Sequence, residues 1–263
     1  METVRVVVPL YKTSLNDFER ISLCRSLDVL KNHRFSIICP ENLDLAPVEH
    51  MFDGVDYDIR RFDPDFFRGV QGYNRLMLSS NFYDAFSDCK YILICQTDVF
   101  VFSDQLLFWC EKDYDYIGAP WIASPQNPLK SLLYKMENFF TRKEKSAHHF
   151  FKVGNGGFSL RKVEVMQLIV SKLKDEAVFF SGSRDERKYH QEDVFISVYA
   201  PTQIQDIKIP DYKEAVGFAM DRKPHLAYKL NHQQLPFACH GFNKSKVRDF
   251  WRPIIQRFIP SFR

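Results

Sequence analysis

Three short runs constrain the fold of this chain more than any other feature. "VRVVVPL" from Val4, "FSIICP" from Phe35 and "YILIC" from Tyr91 are apolar at nearly every position and have the length of strands. A strand with one wet face alternates, whereas a run without alternation belongs to a strand covered on both faces. The intervening segments carry helical period. Leu15, Phe18, Ile21, Cys24 and Leu27 recur every three residues, behind a Ser14–Asp17 pair that resembles a capping box. Tyr73, Leu76, Met77, Tyr83 and Phe86 predict one helix over Tyr73 to Phe86, feeding "YILIC". "DQLLFWCEK" predicts a helix and "YDYIGAPW" a short strand ending at Pro120. Strands thus alternate with helices as far as Pro120, which implies an α/β domain built on a mainly parallel sheet with helices on both faces. With 263 residues, 45% of them hydrophobic, the chain can bury a core of that size.

The second half is less regular. Ser124 to Lys152 is polar and basic, with no evident strand. "VGNGGFSLR" is extended and rich in glycine, and Val163, Met166, Ile169 and Leu173 mark a helix after it. "EDVFISVYA" begins another helix, with Glu192 and Asp193 at its positive end. "FACHGF" predicts a short strand ending in His240. The net charge is only +3, but six basic and two acidic residues lie from Lys130 to Lys152, and six basic and one acidic from Lys244 to Arg263. The remainder is net acidic, a distribution that suits local contact with anions and not general binding of nucleic acid.

"YILICQTDVFVF" then poses a chemical question. A carboxylate buried without a partner costs several kcal/mol or takes up a proton. Asp98 therefore stands either where the strand emerges from the core, as a turn or capping residue, or beside a cation. In open α/β sheets ligands collect beyond the carboxyl ends of the strands, and Asp98 follows the most apolar strand of the chain. Two other polar interruptions of apolar sequence resemble it: Glu192–Asp193 before "VFISVYA", and His240 after "FAC". Carboxylate, imidazole and a diphosphate suit Mn²⁺ or Mg²⁺. The alternative for His240 is a partly buried histidine bonded to backbone. "GNGG" at Gly154 to Gly157 allows a bulged turn or close approach of a ligand to the main chain. Neither the dinucleotide-binding GxGxxG, the P-loop GxxxxGK[ST] nor the hydrolase GxSxG occurs.

The six cysteines form no CxxC pair and most lie in apolar stretches, as buried free thiols in a reducing compartment do. The apolar run at the N-terminus is too short for a signal peptide and is broken by Pro9, and no segment approaches the length of a membrane span. The expectation is a cytoplasmic protein.

Taken in order, "VVVPLYK", "GYNRLMLSSNFY", "YILICQTDVFVF", "YDYIGAPW", "VGNGGFSLR", "EDVFISVYA" and "CHGF" resemble a bacterial family of glycosyltransferases found with surface-polysaccharide gene clusters. The resemblance covers Val4 to Phe242 and implies a GT-A-like, Rossmann-like fold. It implies a single domain over 1–243, with a nucleotide-sugar-binding half at 1–120, an acceptor and catalytic half at 121–243, and a basic amphipathic tail at 244–263. The GT-A motif DXD has "QTD" in its place: Gln96 replaces the first aspartate, and Asp98 matches the metal-contacting position. The resemblance further implies a nucleotide-sugar donor, UDP-sugar first among them, bound near Pro9, Tyr11, Asn74, Arg75, Gln96, Asn155, Gly156, Gly157 and Trp121. It implies a divalent ion on Asp98 and His240, and Asp193 as the base of an inverting transfer with Glu192 as its substitute. For Arg75 a solvated helix face, and for Trp121 core packing, are the alternatives. The resemblance also implies a saccharide acceptor, lipid-linked or free.

Two other readings stand beside this one. A nucleotidyltransferase usually carries a Gly-rich basic loop after its first strand, where this chain has "PLYKTSLND". A non-catalytic sugar-nucleotide-binding protein of an assembly complex would explain Gln96. In the tail, Val247, Phe250, Trp251, Ile254, Ile255, Phe258 and Ile259 form one apolar face among basic residues. That face either lies on the anionic inner surface of the cytoplasmic membrane or packs on the protein's own body.

Overall fold

The computed structural model of the protein describes residues 1–122, 129, 132–133, 136, 150–182 and 191–262. The polar, basic stretch expected from Ser124 to Lys152 falls largely outside the described residues.

The apolar runs form the centre of a six-stranded sheet, ordered β3-β2-β1-β4-β7-β6. Strands β1 (Glu2–Pro9), β2 (Phe35–Pro40), β3 (Tyr57–Phe62) and β4 (Cys89–Cys95) are mutually parallel. Val6 lies opposite Phe35 on one side and Leu93 on the other. The reversed strand is β7 (Phe158–Lys162), antiparallel to both β4 and β6 (Tyr116–Gly118). Every residue of β2 and every residue of β4 except Lys90 is buried, as continuous apolar runs require. Edge strand β3 escaped the sequence reading because "YDIRRF" mixes charge with ring and branch, as edge strands do.

The helices depart from expectation in two places. The first runs Asp17–Val29 and is capped by Asn16, whose side chain accepts from Glu19 N–H while the Glu19 carboxylate accepts from Asn16 N–H. The capping box therefore lies two residues beyond the expected pair. The single helix expected over Tyr73 to Phe86 is two, Gly69–Met77 and Ser80–Asp84. Ser79 is extended between them and caps the second through Phe82 N–H.

A second, three-stranded sheet has β9 (Ala238–His240) at its centre, with β5 (Val99–Val101) antiparallel on one side and β8 (Ala219–Met220) parallel on the other. Around it lies a separate apolar cluster that includes Phe100, Phe102, Met220, Cys239 and Phe242. The C-terminal helix Ser245–Ile255 closes this cluster with Val247, Trp251, Ile254 and Ile255. Trp251 is fully buried, its ring 5.5 Å from that of Phe102. Val247, Trp251, Ile254 and Ile255 of the tail's apolar face thus pack on the protein's own core, while Phe258 remains exposed. Among the described residues no helix is long and apolar enough to cross a membrane.

Candidate active site

Beyond the carboxyl ends of β1 and β4 a cleft of about 770 Å³ opens where the two sheets meet. Of the residues expected at a site, Pro9, Tyr11, Asn74, Gln96, Asp98, Trp121, Asn155, Gly156, Gly157, Glu192, Asp193 and His240 all line it. Arg75 does not: its guanidinium donates to the Asp65 carbonyl at 3.0 Å, outside the cleft. It follows Asn74 by one residue, so it turns to a different side of the helix. Glu19, Tyr73, Asp221, Arg222, Asn243 and Lys244 also line the cleft and were not read as site residues. Lys244 was visible only as part of a basic tail. Asp221 had no signal at all, being one carboxylate beside an arginine.

At one end of the cleft Asp98 leads out of β4 into β5 and faces His240 at the end of β9. His240 Nε2 lies 3.0 Å from Asp98 Oδ1, yet it is buried and out of line for a hydrogen bond to any group. Lys244 Nζ stands 3.7 Å from the other Asp98 oxygen, and Asp221 Oδ1 faces His240 Nδ1 at 3.5 Å. Burial opposes charge on both partners, but their mutual attraction outweighs it. The Asp98 carboxyl is held below its ordinary value by His240 and Lys244. The His240 imidazole rises to about 9 under Asp98 and Asp221.

This arrangement fits a divalent cation. Ligand atoms on adjacent corners of an octahedron with bonds of about 2.1 Å lie roughly 3 Å apart, and Nε2 and Oδ1 have that spacing without a hydrogen bond between them. Asp98 and His240 are the residues that would hold the ion.

The middle of the cleft is shaped by "GNGG". Asn155 has φ +65°, a strained position for a side-chain-bearing residue, and its backbone N–H donates to Asp193 Oδ2 at 2.9 Å. A Cβ at Gly156 would strike the Glu192 carboxylate, and one at Gly157 would strike His240 and Gln96. The glycines therefore let the loop lie against both ends of the site at once.

Glu192 and Asp193 start a helix that runs Glu192–Val194, continues through a π turn over Phe195–Tyr199 and ends with Ala200–Gln203. Glu192 is tied below the cleft to Arg161 of β7, at 3.1 Å, both side chains being almost wholly buried. Arg161 also donates to Tyr83 Oη at 3.0 Å. Burial pushes the Glu192 carboxyl up to about 7 against the pull of Arg161. Asp193 is also raised by burial, opposed by the N–H groups of Val194, Asn155 and Gly156. Two adjacent carboxylates thus have different holders: a buried guanidinium for Glu192, and backbone N–H groups for Asp193.

The six-stranded, mostly parallel sheet with its flanking helices has a GT-A-like fold, and comparison with solved structures agrees. The fold is similar to mouse xyloside xylosyltransferase 1 in its apo form, with TM-score 0.56 and 12% identity over 91% of this chain and 97% of that one. It is also similar to the galactosyltransferase LgtC in complex with donor and acceptor sugar analogues, with TM-score 0.53 and 13% identity over 90% of this chain and 86% of that one. Residues 56–240 match the family described as "Protein of unknown function (DUF5672)", and the chain belongs to that family. No curated protein matches the sequence.

Proposed function

We propose that this protein is a glycosyltransferase that moves a sugar from a nucleoside-diphosphate sugar to a hydroxyl of a saccharide acceptor. One observation carries the reading: a single cleft holds cation-binding groups, Asp98 and His240, at one end and the Glu192–Asp193 pair at the other, with Gly156 and Gly157 between. The enzymatic neighbours of the fold support it. The xylosyltransferase and the galactosyltransferase complexed with donor and acceptor analogues both act on sugars by their names.

The donor's diphosphate lies toward Asp98, where Lys244 and Arg222 add positive charge to the cleft wall. Its base and ribose lie toward Pro9 and Tyr11, at the end of β1. Trp121, on the acceptor side, offers a ring face to a sugar. An acceptor hydroxyl is a weak nucleophile, and Asp193, raised by burial, takes its proton as it attacks the anomeric carbon. Glu192 and Arg161 hold that turn from below. A base-assisted single displacement inverts the anomeric centre. UDP-sugars are the first donors to test. The resemblance to surface-polysaccharide enzymes makes a lipid-linked saccharide at the inner membrane face the first acceptor to test.

The test is a panel of nucleotide sugars, followed for hydrolysis and for transfer, with NMR of the product anomer. Turnover of one donor, abolished in Asp98→Ala, is expected. Binding without turnover would make the protein a non-catalytic sugar-nucleotide binder, and nucleotide transfer to a sugar phosphate would make it a nucleotidyltransferase. Full wild-type activity in EDTA would remove the cation, and a retained anomer would remove Asp193 as base.

A further inference from the structure

Asp98, His240 and Asp221 come from three distant parts of the chain, yet the small sheet sets them in a row. Val99 pairs with His240 across β5 and β9, and Met220 pairs with Cys239 across β8 and β9. Asp98 precedes Val99 and Asp221 follows Met220, so the two carboxylates flank the imidazole from opposite sides. Asp98 Oδ1 meets Nε2 at 3.0 Å, and Asp221 Oδ1 faces Nδ1 at 3.5 Å. The Asp221 side chain is only 13% exposed, and its other oxygen, Oδ2, stands 3.8 Å from Arg222 Nε.

Nδ1 has a second neighbour with the opposite demand. The Asn155 amide oxygen accepts from Gly157 N–H at 3.2 Å, which turns the amide nitrogen toward His240 Nδ1 at 3.1 Å. An amide N–H pointing at Nδ1 favours the ring with its proton on Nε2. That proton would stand between His240 and any cation beside Asp98. A carboxylate at Nδ1 favours the other tautomer, with Nδ1–H donated to the carboxylate and the Nε2 lone pair free.

We propose that Asp221 is the positioning residue of the cation site: it holds the proton on Nδ1 against Asn155 and so leaves His240 Nε2 open to a divalent ion beside Asp98. It also places a second negative charge near a cleft wall where Gln96 is neutral. Asp221 touches neither donor nor ion in this role. The inference rests on reading the Asp98–His240 end as a cation site.

Asp221→Asn keeps the shape and removes the charge. Titration with Mn²⁺, followed by the electron paramagnetic resonance of the free ion, is expected to show about 10- to 100-fold weaker binding than wild type, as loss of such a partner commonly brings. Asp221→Glu should recover most of it, while Asp98→Ala and His240→Ala abolish binding. In ¹⁵N NMR of the neutral ring at alkaline pH, identified by its absence in His240→Ala, the proton should move from Nδ1 in wild type to Nε2 in Asp221→Asn. Unchanged thermal unfolding confirms that the variant is folded. Overlaid Mn²⁺ titrations with the proton still on Nδ1 would overturn the proposal. If wild type takes no Mn²⁺ but binds a nucleotide sugar in EDTA, the cation reading falls while glycosyl transfer stands, and so does Asp221's role toward an ion. If the protein binds no nucleotide sugar but Mn²⁺ binding still depends on Asp221, the proposed transfer falls and this inference survives.

Discussion

The six-stranded and three-stranded sheets meet at Asp98, and they are made from different kinds of sequence. The larger is held by long parallel pairings of buried aliphatic residues, such as Val6 between Phe35 and Leu93. The smaller has strands of two or three residues, and the C-terminal helix buries its outer side. The larger sheet can tolerate changes in which aliphatic residue fills a position, provided volume and pattern are kept. The smaller has few backbone bonds to fix its strands and relies on rings, with Phe100, Phe102, Phe242 and Trp251 packed on one another. What it aligns is chemistry: Asp98, His240 and Asp221. The two sheets thus have separate apolar clusters, and variants can break them separately.

The largest expected effect is on the smaller sheet. Trp251→Ala empties a fully buried ring site and should cost about 3–5 kcal/mol. Urea unfolding monitored by circular dichroism measures it, and a loss below about 1 kcal/mol, the scale of a surface substitution, would show that the helix is only appended. The same experiment bears on the membrane expectation for the tail. If the helix is core, removing residues after Lys244 destabilises the protein whether or not vesicles are present.

The matching change beneath the larger sheet is Arg161→Met. Arg161 is fully buried and Glu192 nearly so, and removing one member of such a pair leaves the other charge stranded at about 3–5 kcal/mol. Arg161→Met combined with Glu192→Met should recover much of that loss, because a buried pair replaced by apolar groups is often neutral in stability. Additive losses in the double variant, read by the same unfolding assay, would mean that the two side chains act independently.

These two sites also show what was legible in the sequence. Continuous apolar runs announced β1, β2 and β4 because both faces of those strands are covered. Asp98, Glu192, Asp193 and His240 stood out as polar residues set in such runs, and all four line the cleft. Strand β8 has two residues and no period to detect, so Asp221 at its end could only be found through pairing with β9. The helix break at Ser79 was hidden because apolar spacing continues across it, while the hydroxyl that ends one helix and caps the next acts locally. In the tail, periodicity showed an apolar face but carried no information on what covers it. Trp251 against Phe102 is a contact between residues far apart in sequence.

Between stability and chemistry lies Asp193→Asn. It keeps the shape and removes the charge, and it leaves one amide oxygen where Asn155 N–H and Val194 N–H now use one carboxylate oxygen each. Transfer should fall by roughly a hundredfold or more, the range for losing general-base assistance, with donor affinity nearly unchanged and melting temperature lowered because one backbone N–H loses its acceptor. Steady-state kinetics beside a nucleotide-binding isotherm separates the two quantities. Loss of donor affinity with turnover intact would make Asp193 a loop-holding residue.

The smallest expected effect is at the end of β7 in the larger sheet, away from the cleft. Lys162 of β7 reaches Asp113 and Asp115, each at 2.9 Å. Its hydrogen bond, with that of Tyr91, holds the Asp113 carboxyl well below the usual carboxylate range. A carboxyl with a lower value in the folded chain than in the unfolded one binds fewer protons when folded. Its stabilisation is therefore present above the ordinary carboxylate range, and is lost as pH falls from about 4 toward the lowered folded value. Asp113 is 43% exposed, so solvent screens the pair and the contribution is modest. Melting curves between pH 7 and pH 3 should fall less steeply for Lys162→Met than for wild type, from a lower starting point at pH 7. Equal slopes would place the acid sensitivity elsewhere, and the Asp98–His240 pair of the smaller sheet, whose carboxyl is also lowered, would be the next place to look.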